Sequence, residues 1–334
     1  MIIKEASATS EEDSNLLVLV IDTNPFIWHK LAQPPTSLSI YDALHQLIIF
    51  LNAHLALKHD NLVAVIASHT GESKFLYPIP SINGSTVPNG IAASGGTAEG
   101  GNERGANVYQ QFREVDDQVV KSVRELFENA SIDENADHQG TSLIAGALSM
   151  ALCYIHRITR LDELGRVKPR ILVVSVSPDS PFQYIPIMNC IFSAQKSSIP
   201  VDVCKIHGED SVFLQQAANI TGGVYLKLDD QLTGLLQYLL FNFLPDRYSR
   251  QFLCLPGQDQ VDYRAACFCH KRIIDIGYVC SVCLSIFCSF SPVCTTCRTK
   301  FAFRALPTAA PAGARAKPRN GSAPGSGRST PSHA

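Results

Sequence analysis

Short apolar runs alternate with segments of helical periodicity from residue 16 to about residue 245. Leu16 to Ile21 is an unbroken, β-branched run closed by Asp22-Thr23-Asn24-Pro25, the pattern of a strand buried on both faces. After Pro34-Pro35, Ser39 and Asp42 have the spacing of a capping box, and Ile40, Leu44, Leu47, Ile48, Leu51 and Leu55 then share one helical face. Leu62 to Ser68 repeats the strand pattern, and Ser73 to Pro78, following Gly71, reads as its hairpin partner. Two helices are predicted next, one carrying Phe112, Val115, Val119, Val123 and Leu126, the other Leu143, Ala147, Met150, Ala151 and Tyr154. Arg170 to Ser177, Val201 to Ile206 and Gly222 to Leu228 are three further strands, with helices near Tyr184 to Lys196, Ser211 to Asn219 and Gln231 to Phe243. This alternation predicts an α/β domain with a doubly wound, mostly parallel sheet covered by helices on both faces. Ligands of such sheets sit at the carboxyl ends of the strands, where Asp22 falls.

The periodicity fails in four places, and these divide the chain. Residues 1–13 are acidic and polar and are expected to be disordered. The α/β domain occupies 14–246, interrupted at about 80–107 by a Gly, Ser, Asn and Ala-rich stretch too polar to offset its ordering entropy, hence a flexible surface insertion. A second, cysteine-rich unit spans 247–303. Residues 304–334 are Pro, Gly, Ala and Ser with scattered Arg and Lys and no acid, the composition of a disordered basic tail.

Composition narrows the functions. A chain of 334 residues that is 46% hydrophobic can bury a full core, and its net charge of −2 provides no global field to draw it to nucleic acid. Direct DNA contact is therefore expected to be weak or absent. The first apolar run is much shorter than a signal-peptide core or a membrane span, so a soluble intracellular protein without membrane attachment is expected.

The cysteines carry the most specific chemistry. Four of the 11 are scattered, and seven crowd between Cys267 and Cys297, which in a reducing compartment points to metal rather than disulfides. Cys280 with Cys283, and Cys294 with Cys297, form two C-x2-C knuckles whose four thiolates suit one tetrahedral Zn²⁺ with bonds of about 2.3 Å. Cys267, Cys269, His270 and Cys288 remain for a second site, in which Cys267 and His270 have knuckle spacing. One zinc with spare buried thiols and two interleaved zincs, as in RING modules, both fit the pattern, and an iron–sulfur cluster is the rival cofactor. A four-sulfur shell leaves no coordination position open, so such a zinc is structural.

Asp22 admits three readings. A metal-ion-dependent adhesion site of von Willebrand factor A domains has D-x-S-x-S at the end of the first strand. Here Asn24 and Phe26 take the serine positions, Thr141 or Ser142 is the candidate for the later hydroxyl, and Asp179 is displaced by Ser177-Pro178. Phe26 has no oxygen to offer a hard cation, so no Mg²⁺ is expected at Asp22. A PIN-type nuclease also ends its first strand in Asp-Thr-Asn, but it needs several converging carboxylates and the strand ends offer only Asp179 and Glu209-Asp210. The structural reading, in which Asp22 accepts backbone hydrogen bonds beside Pro25, needs nothing else and is preferred.

A von Willebrand A-like domain with a degenerate metal site, followed by "GYVCSVCLSIFCSFSPVCTTC", resembles the family of the thirty-four-kilodalton core subunit of general transcription factor TFIIH. The resemblance runs from about Asn15 to Phe303 and is carried by "VIDTNPFIW", "SLIAGALSMALCYIHR", "ILVVSVSPDSPFQYIPIMNCIFSAQK" and the block from "CFCH" to "CTTC". It implies a nuclear, non-enzymatic scaffold subunit serving RNA polymerase II initiation and nucleotide excision repair. Its implied partners are other TFIIH core subunits, chiefly a related subunit built from an A-like domain and zinc modules, and through it the XPD and XPB helicases. The alternatives from other classes are a RING-type ubiquitin ligase and a metal-dependent PIN-like nuclease.

Overall fold

The computed structural model describes residues 13–33, 38–79, 108–128, 141–162, 164–228, 234–257, 261–270 and 272–301. The expected disorder of the N-terminus, of the insertion at 80–107 and of the tail at 304–334 concerns segments outside these residues, apart from Asp13.

Six strands form one sheet: β1 (Ser14–Asp22), β2 (Leu62–Ser68), β3 (Ser73–Tyr77), β4 (Val167–Ser175), β5 (Val201–Lys205) and β6 (Tyr225–Lys227). Their order is β3-β2-β1-β4-β5-β6, parallel throughout except for β3, which runs antiparallel to β2 as the hairpin reading predicts. Burial explains why β1 is a continuous apolar run. Leu17, Leu19 and Ile21 pack into one core layer while Leu16, Val18 and Val20 pack into the other. The period of two in the strand thus feeds two cores at once.

The first layer is covered by α1 (Pro25–Leu31), α2 (Ile40–Leu57), α3 (Val108–Glu128) and α7 (Leu235–Tyr238), the second by α4 (Ile144–Leu161), α5 (Tyr184–Lys196) and α6 (Val212–Thr221). The doubly wound expectation holds. The Ser39 capping box is formed in both directions, with the Asp42 amide donating to Ser39 Oγ at 3.1 Å and the Ser39 amide donating to Asp42 Oδ2 at 3.3 Å. By length and composition α2 is apolar enough to cross a bilayer, but eight of its residues are buried against the protein's own core.

Several boundaries differ from the sequence reading; the strand read as Arg170 to Ser177 runs instead over Val167–Ser175. The last strand of the sheet is shorter than Gly222 to Leu228, because Gly222 adopts φ +72° and closes α6, with the Gly223 amide bonded to Ala218 O at 2.8 Å. Gly223 lies so close to β5 that a Cβ there would meet Val201 O at 2.1 Å. The helix expected over Gln231 to Phe243 is described from Leu235 and changes to a wider π-type turn over Leu239–Phe243, while Gln231 to Thr233 lie outside the described residues. The buried Arg170 fork collects the carbonyls that this turn frees: Nη2 donates to Leu244 O at 3.1 Å and Nη1 to Pro245 O at 3.0 Å.

Beyond residue 264 the chain forms two small hairpins, β7 (Ala265–Ala266) with β8 (Ile273–Ile274) and β9 (Tyr278–Val279) with β10 (Ile286–Phe287). Their apolar core is small: Phe287 buried with Cys280 and Cys294, flanked by Phe268 and Phe301.

Candidate metal centre

Two places invite a cation, and their chemistry differs. The first is the rim of the sheet between β1 and β4, where the strand order reverses. Asp22 is 1% exposed, and its oxygens are already engaged. Oδ2 accepts from the amides of Ser177 at 2.7 Å and Val176 at 3.1 Å, and Oδ1 accepts from the Asn24 amide at 3.2 Å. Asn24 Oδ1 caps α1 by accepting from the Phe26 amide at 3.1 Å, and its Nδ2 donates to Ser177 Oγ at 3.0 Å. A positive charge is built in beside them: fully buried Lys205 donates to Ser177 O, and burial lowers its pKa while the charges of Asp22 and Asp179 oppose that shift.

Three of the other expected oxygen donors, Ser142, Asp179 and Asp210, are also engaged. Ser142 Oγ lies 2.6 Å from Ser68 Oγ and donates to Ser68 O at 3.0 Å. Asp179 takes the Ser211 hydroxyl and the Phe213 amide at the start of α6, and burial raises its pKa. Asp210 accepts from Tyr225 Oη at 3.1 Å. Asp22, Asp179 and Asp210 therefore each serve a different local hydrogen-bond set, and the structural reading of Asp22 describes the geometry.

The second place is the cysteine module. Cys280, Cys283, Cys294 and Cys297 have their sulfurs all within 4.8 Å of one another, and so do the donor atoms of Cys267, Cys269, His270 and Cys288. A tetrahedral ion with bonds of about 2.3 Å holds neighbouring sulfurs about 3.8 Å apart. The Cys280–Cys297 and Cys283–Cys294 separations are 3.7 and 3.6 Å, and Cys269–Cys288 is 3.5 Å. These are tetrahedron edges rather than disulfide lengths, and all 11 cysteines are free thiols. The donors fit zinc in both groups. They are interleaved, because Cys288 of one group lies in sequence between the two knuckles of the other.

The knuckles share one backbone design. The Cys280 amide donates to Ser285 O at 2.9 Å and the Leu284 amide to Cys280 O at 2.9 Å; the same pair of bonds joins Cys294 to Thr299 and Arg298 to Cys294, again at 2.9 Å each. Both turns force the residue after the second cysteine into left-handed φ, 58° at Leu284 and 58° at Arg298. The Cys267 amide likewise donates to Arg272 O at 2.8 Å.

Two residues missed by the cysteine arithmetic complete the design. Ser285 Oγ lies 3.2 Å from Cys283 Sγ and Thr299 Oγ1 lies 3.0 Å from Cys297 Sγ. The Ser285 hydroxyl, then its amide, lowers the Cys283 thiol to about 6, and Thr299 lowers Cys297 in the same way. For Cys267 burial pushes the thiol up, but the amides of Arg272 and His270 outweigh it and bring it to about 7. The signal was present as a hydroxyl residue two positions after each knuckle, Cys283-Leu284-Ser285 and Cys297-Arg298-Thr299. The groups differ in shelter: Cys269 and His270 are exposed, whereas Cys280 and Cys294 are buried.

The family profile described as Transcription factor Tfb4 matches residues 14–298, which takes in the sheet and both donor groups. The chain belongs to the Tfb4 family. Among Tfb4 proteins, "General transcription and DNA repair factor IIH subunit tfb4" of Schizosaccharomyces pombe is 45% identical over 302 residues, 89% of this chain and 94% of that one. The crystal structure of the TFIIH p34 N-terminal domain is similar to this Tfb4-family chain, with a TM-score of 0.55 at 32% identity, covering 69% of this chain and 98% of that one. A von Willebrand factor type A structure from Catenulispora acidiphila is similar at a TM-score of 0.40 and 15% identity, over 68% of this chain and 41% of that one.

Proposed function

We propose that this chain is a non-catalytic scaffold subunit of the TFIIH core, acting by protein contacts in RNA polymerase II transcription initiation and nucleotide excision repair. Membership of the Tfb4 family, a non-catalytic family of TFIIH subunits, is the observation that carries this reading. The rim chemistry supports it: the carboxylates a metal-dependent nuclease would converge on a cation are spent on backbone amides, a helix start and a tyrosine. The chain functions in the nucleus, with the other TFIIH subunits as its partners.

The division of labour follows the domains. Residues 14–246 form the A-like docking domain, and 247–303 form the zinc module. Cys280, Cys283, Cys294 and Cys297 hold one Zn²⁺, and Cys267, Cys269, His270 and Cys288 hold a second. Each ion is structural, because four protein donors leave no position for substrate or water. Zinc in such a shell supplies roughly 10–16 kcal/mol of apparent binding energy near neutral pH, which organises a module whose own apolar core is small. The principal partner is the related subunit with its own A-like domain and zinc modules, which connects this chain to the XPD and XPB helicases; direct DNA contact is weak or absent. Exposed apolar residues support a contact role, with Tyr238 and Phe241 on the A-like domain and Ile276, Val282 and Leu284 on the zinc module. Co-expression with that related subunit is expected to yield a one-to-one complex through affinity and size-exclusion steps. Failure of the two chains to co-purify would sink the reading.

A further inference from the structure

At the opposite end of the sheet from Asp22, where β4 and β5 begin, lies a cleft of about 300 Å³. Four of its lining residues are cationic, Lys168, Arg170, Arg247 and Arg250, and none is acidic; Asn15 and Thr221 add polar side chains. Carboxylates nearby neutralise part of this charge. Arg250 makes a bidentate pair with buried Asp202 at 2.8 and 2.6 Å, and Lys168 lies 3.8 Å from Asp13. Asp246 lies within electrostatic reach of Arg170 and accepts from the Ser249 amide at 2.8 Å.

Arg170 is the unusual member. It is 4% exposed, its two terminal nitrogens bind only neutral main-chain carbonyls, and its Nε has no hydrogen-bond partner among the described residues. Buried guanidinium groups are ordinarily matched by a carboxylate or phosphate with which they share hydrogen bonds. Here Asp202 is held by Arg250 and by the Val224 amide at 2.9 Å, and Asp246 by Ser249. Arg247, at the exposed side of the cleft, donates to Ser198 O at 3.4 Å and makes no ion pair among the described residues. The wall is therefore cationic and polar, with one buried guanidinium lacking a bonded anion and one accessible guanidinium beside it.

We propose that this cleft is an oxyanion site that takes the phosphate group of a small phosphorylated compound. Its size matches the lower end of small-ligand sites, and a concave, enclosed wall favours a single phosphate over the extended backbone of nucleic acid. The cleft's charge and shape are independent of the TFIIH role, and phosphate binding is read without a partner chain.

The test is calorimetric titration of the full, zinc-loaded chain with inorganic phosphate, against sodium chloride of equal ionic strength. Saturable binding in the millimolar range is expected, weakened about tenfold or more in Lys168→Gln/Arg247→Gln and unchanged in Lys121→Gln, a charge removal on α3. Both substitutions in the double variant are on partly or fully exposed side chains, so folding is preserved and circular dichroism checks it. Heat that matches the chloride control, binding indifferent to the double variant, or capture of duplex DNA at this cleft without phosphate binding would each overturn the proposal.

Discussion

Lys205 and Asp22 lie on adjacent sides of Ser177: the lysine ammonium donates to the Ser177 carbonyl, and the Ser177 amide donates to Asp22 Oδ2 at 2.7 Å. A buried ammonium thus stands beside the rim carboxylate, and it ties β5 to the segment after β4. Removing it leaves a buried carbonyl and carboxylate short of positive charge. Lys205→Met is expected to cost about 3 kcal/mol of unfolding free energy, measured as a lowered urea midpoint at unchanged slope. In a double-mutant cycle with Asp22→Asn the two losses should fall short of adding by at least about 1 kcal/mol. Strict additivity would mean that the two residues act independently.

The frame of the fold was legible because the signals were local and strong. The β1 run, the Ser39 box and the period of α2 each specify their own geometry, so the sheet and its two helix layers follow from spacing alone. The limits of β6 and of the helix before Phe243 were not legible in the same way. Gly222 and Gly223 are compatible with a strand start, and only the approach to Val201 O makes them a helix cap and a crossing point. At the rim, Asp22 was visible as a candidate, but its engagement was not, because its donors come from Val176 and Ser177, far away in sequence. Lys205 was readable in principle as a charge inside "VDVCKI", a strand with both faces covered. The cysteine grouping was the reverse case, since knuckle spacing constrains which thiols meet, and the geometry gathers the eight expected donors into two groups of four.

His54 gives the fold a defined acid sensitivity. Burial, then the charge of Arg170, pulls its pKa from 6.5 down to about 3, so the folded chain holds the ring neutral where the unfolded chain would protonate it. Protons are then bound preferentially by the unfolded state between those values, and stability is present in full above about pH 6.5 and declines as pH falls toward about 3. The slope approaches about 1.4 kcal/mol per pH unit for this one group. Urea midpoints measured from pH 7 to pH 4.5 are expected to show a shallower decline in His54→Leu than in the parent. Equal slopes would show that other groups govern acid unfolding.

The left-handed turns at Leu284 and Arg298 predict an unusual order of substitutions. A non-glycine residue at positive φ carries a backbone cost of about 1–2 kcal/mol, and a β-branched one carries more. Leu284→Gly is therefore expected to be close to neutral for zinc retention, since its flexibility offsets the relief, whereas Leu284→Val should weaken zinc by about tenfold. Competition with a chromophoric chelator reads both. Equal loss in the two variants would point to the exposed leucine side chain rather than to the turn.

The two donor groups should separate under stress. Elemental analysis of the purified chain is expected to give two zinc ions, falling to one in Cys288→Ser, because Cys288 is the only donor that the group of Cys267, Cys269 and His270 draws from beyond its own short turn. Shelter then sets the order of release. Cys269 and His270 are open to solvent, so protonation, oxidation and chelators reach that group first, while buried Cys280 and Cys294, with Ser285 and Thr299 holding their partners' thiolates, protect the four-cysteine group. Timed removal with a chelator should therefore be biphasic in the parent. In Cys288→Ser the fast phase should vanish and the slow one remain, whereas Cys294→Ser should abolish the slow phase. A single phase in the parent, or a stoichiometry that stays at two in Cys288→Ser, would refute the assignment of Cys267, Cys269, His270 and Cys288 to one ion.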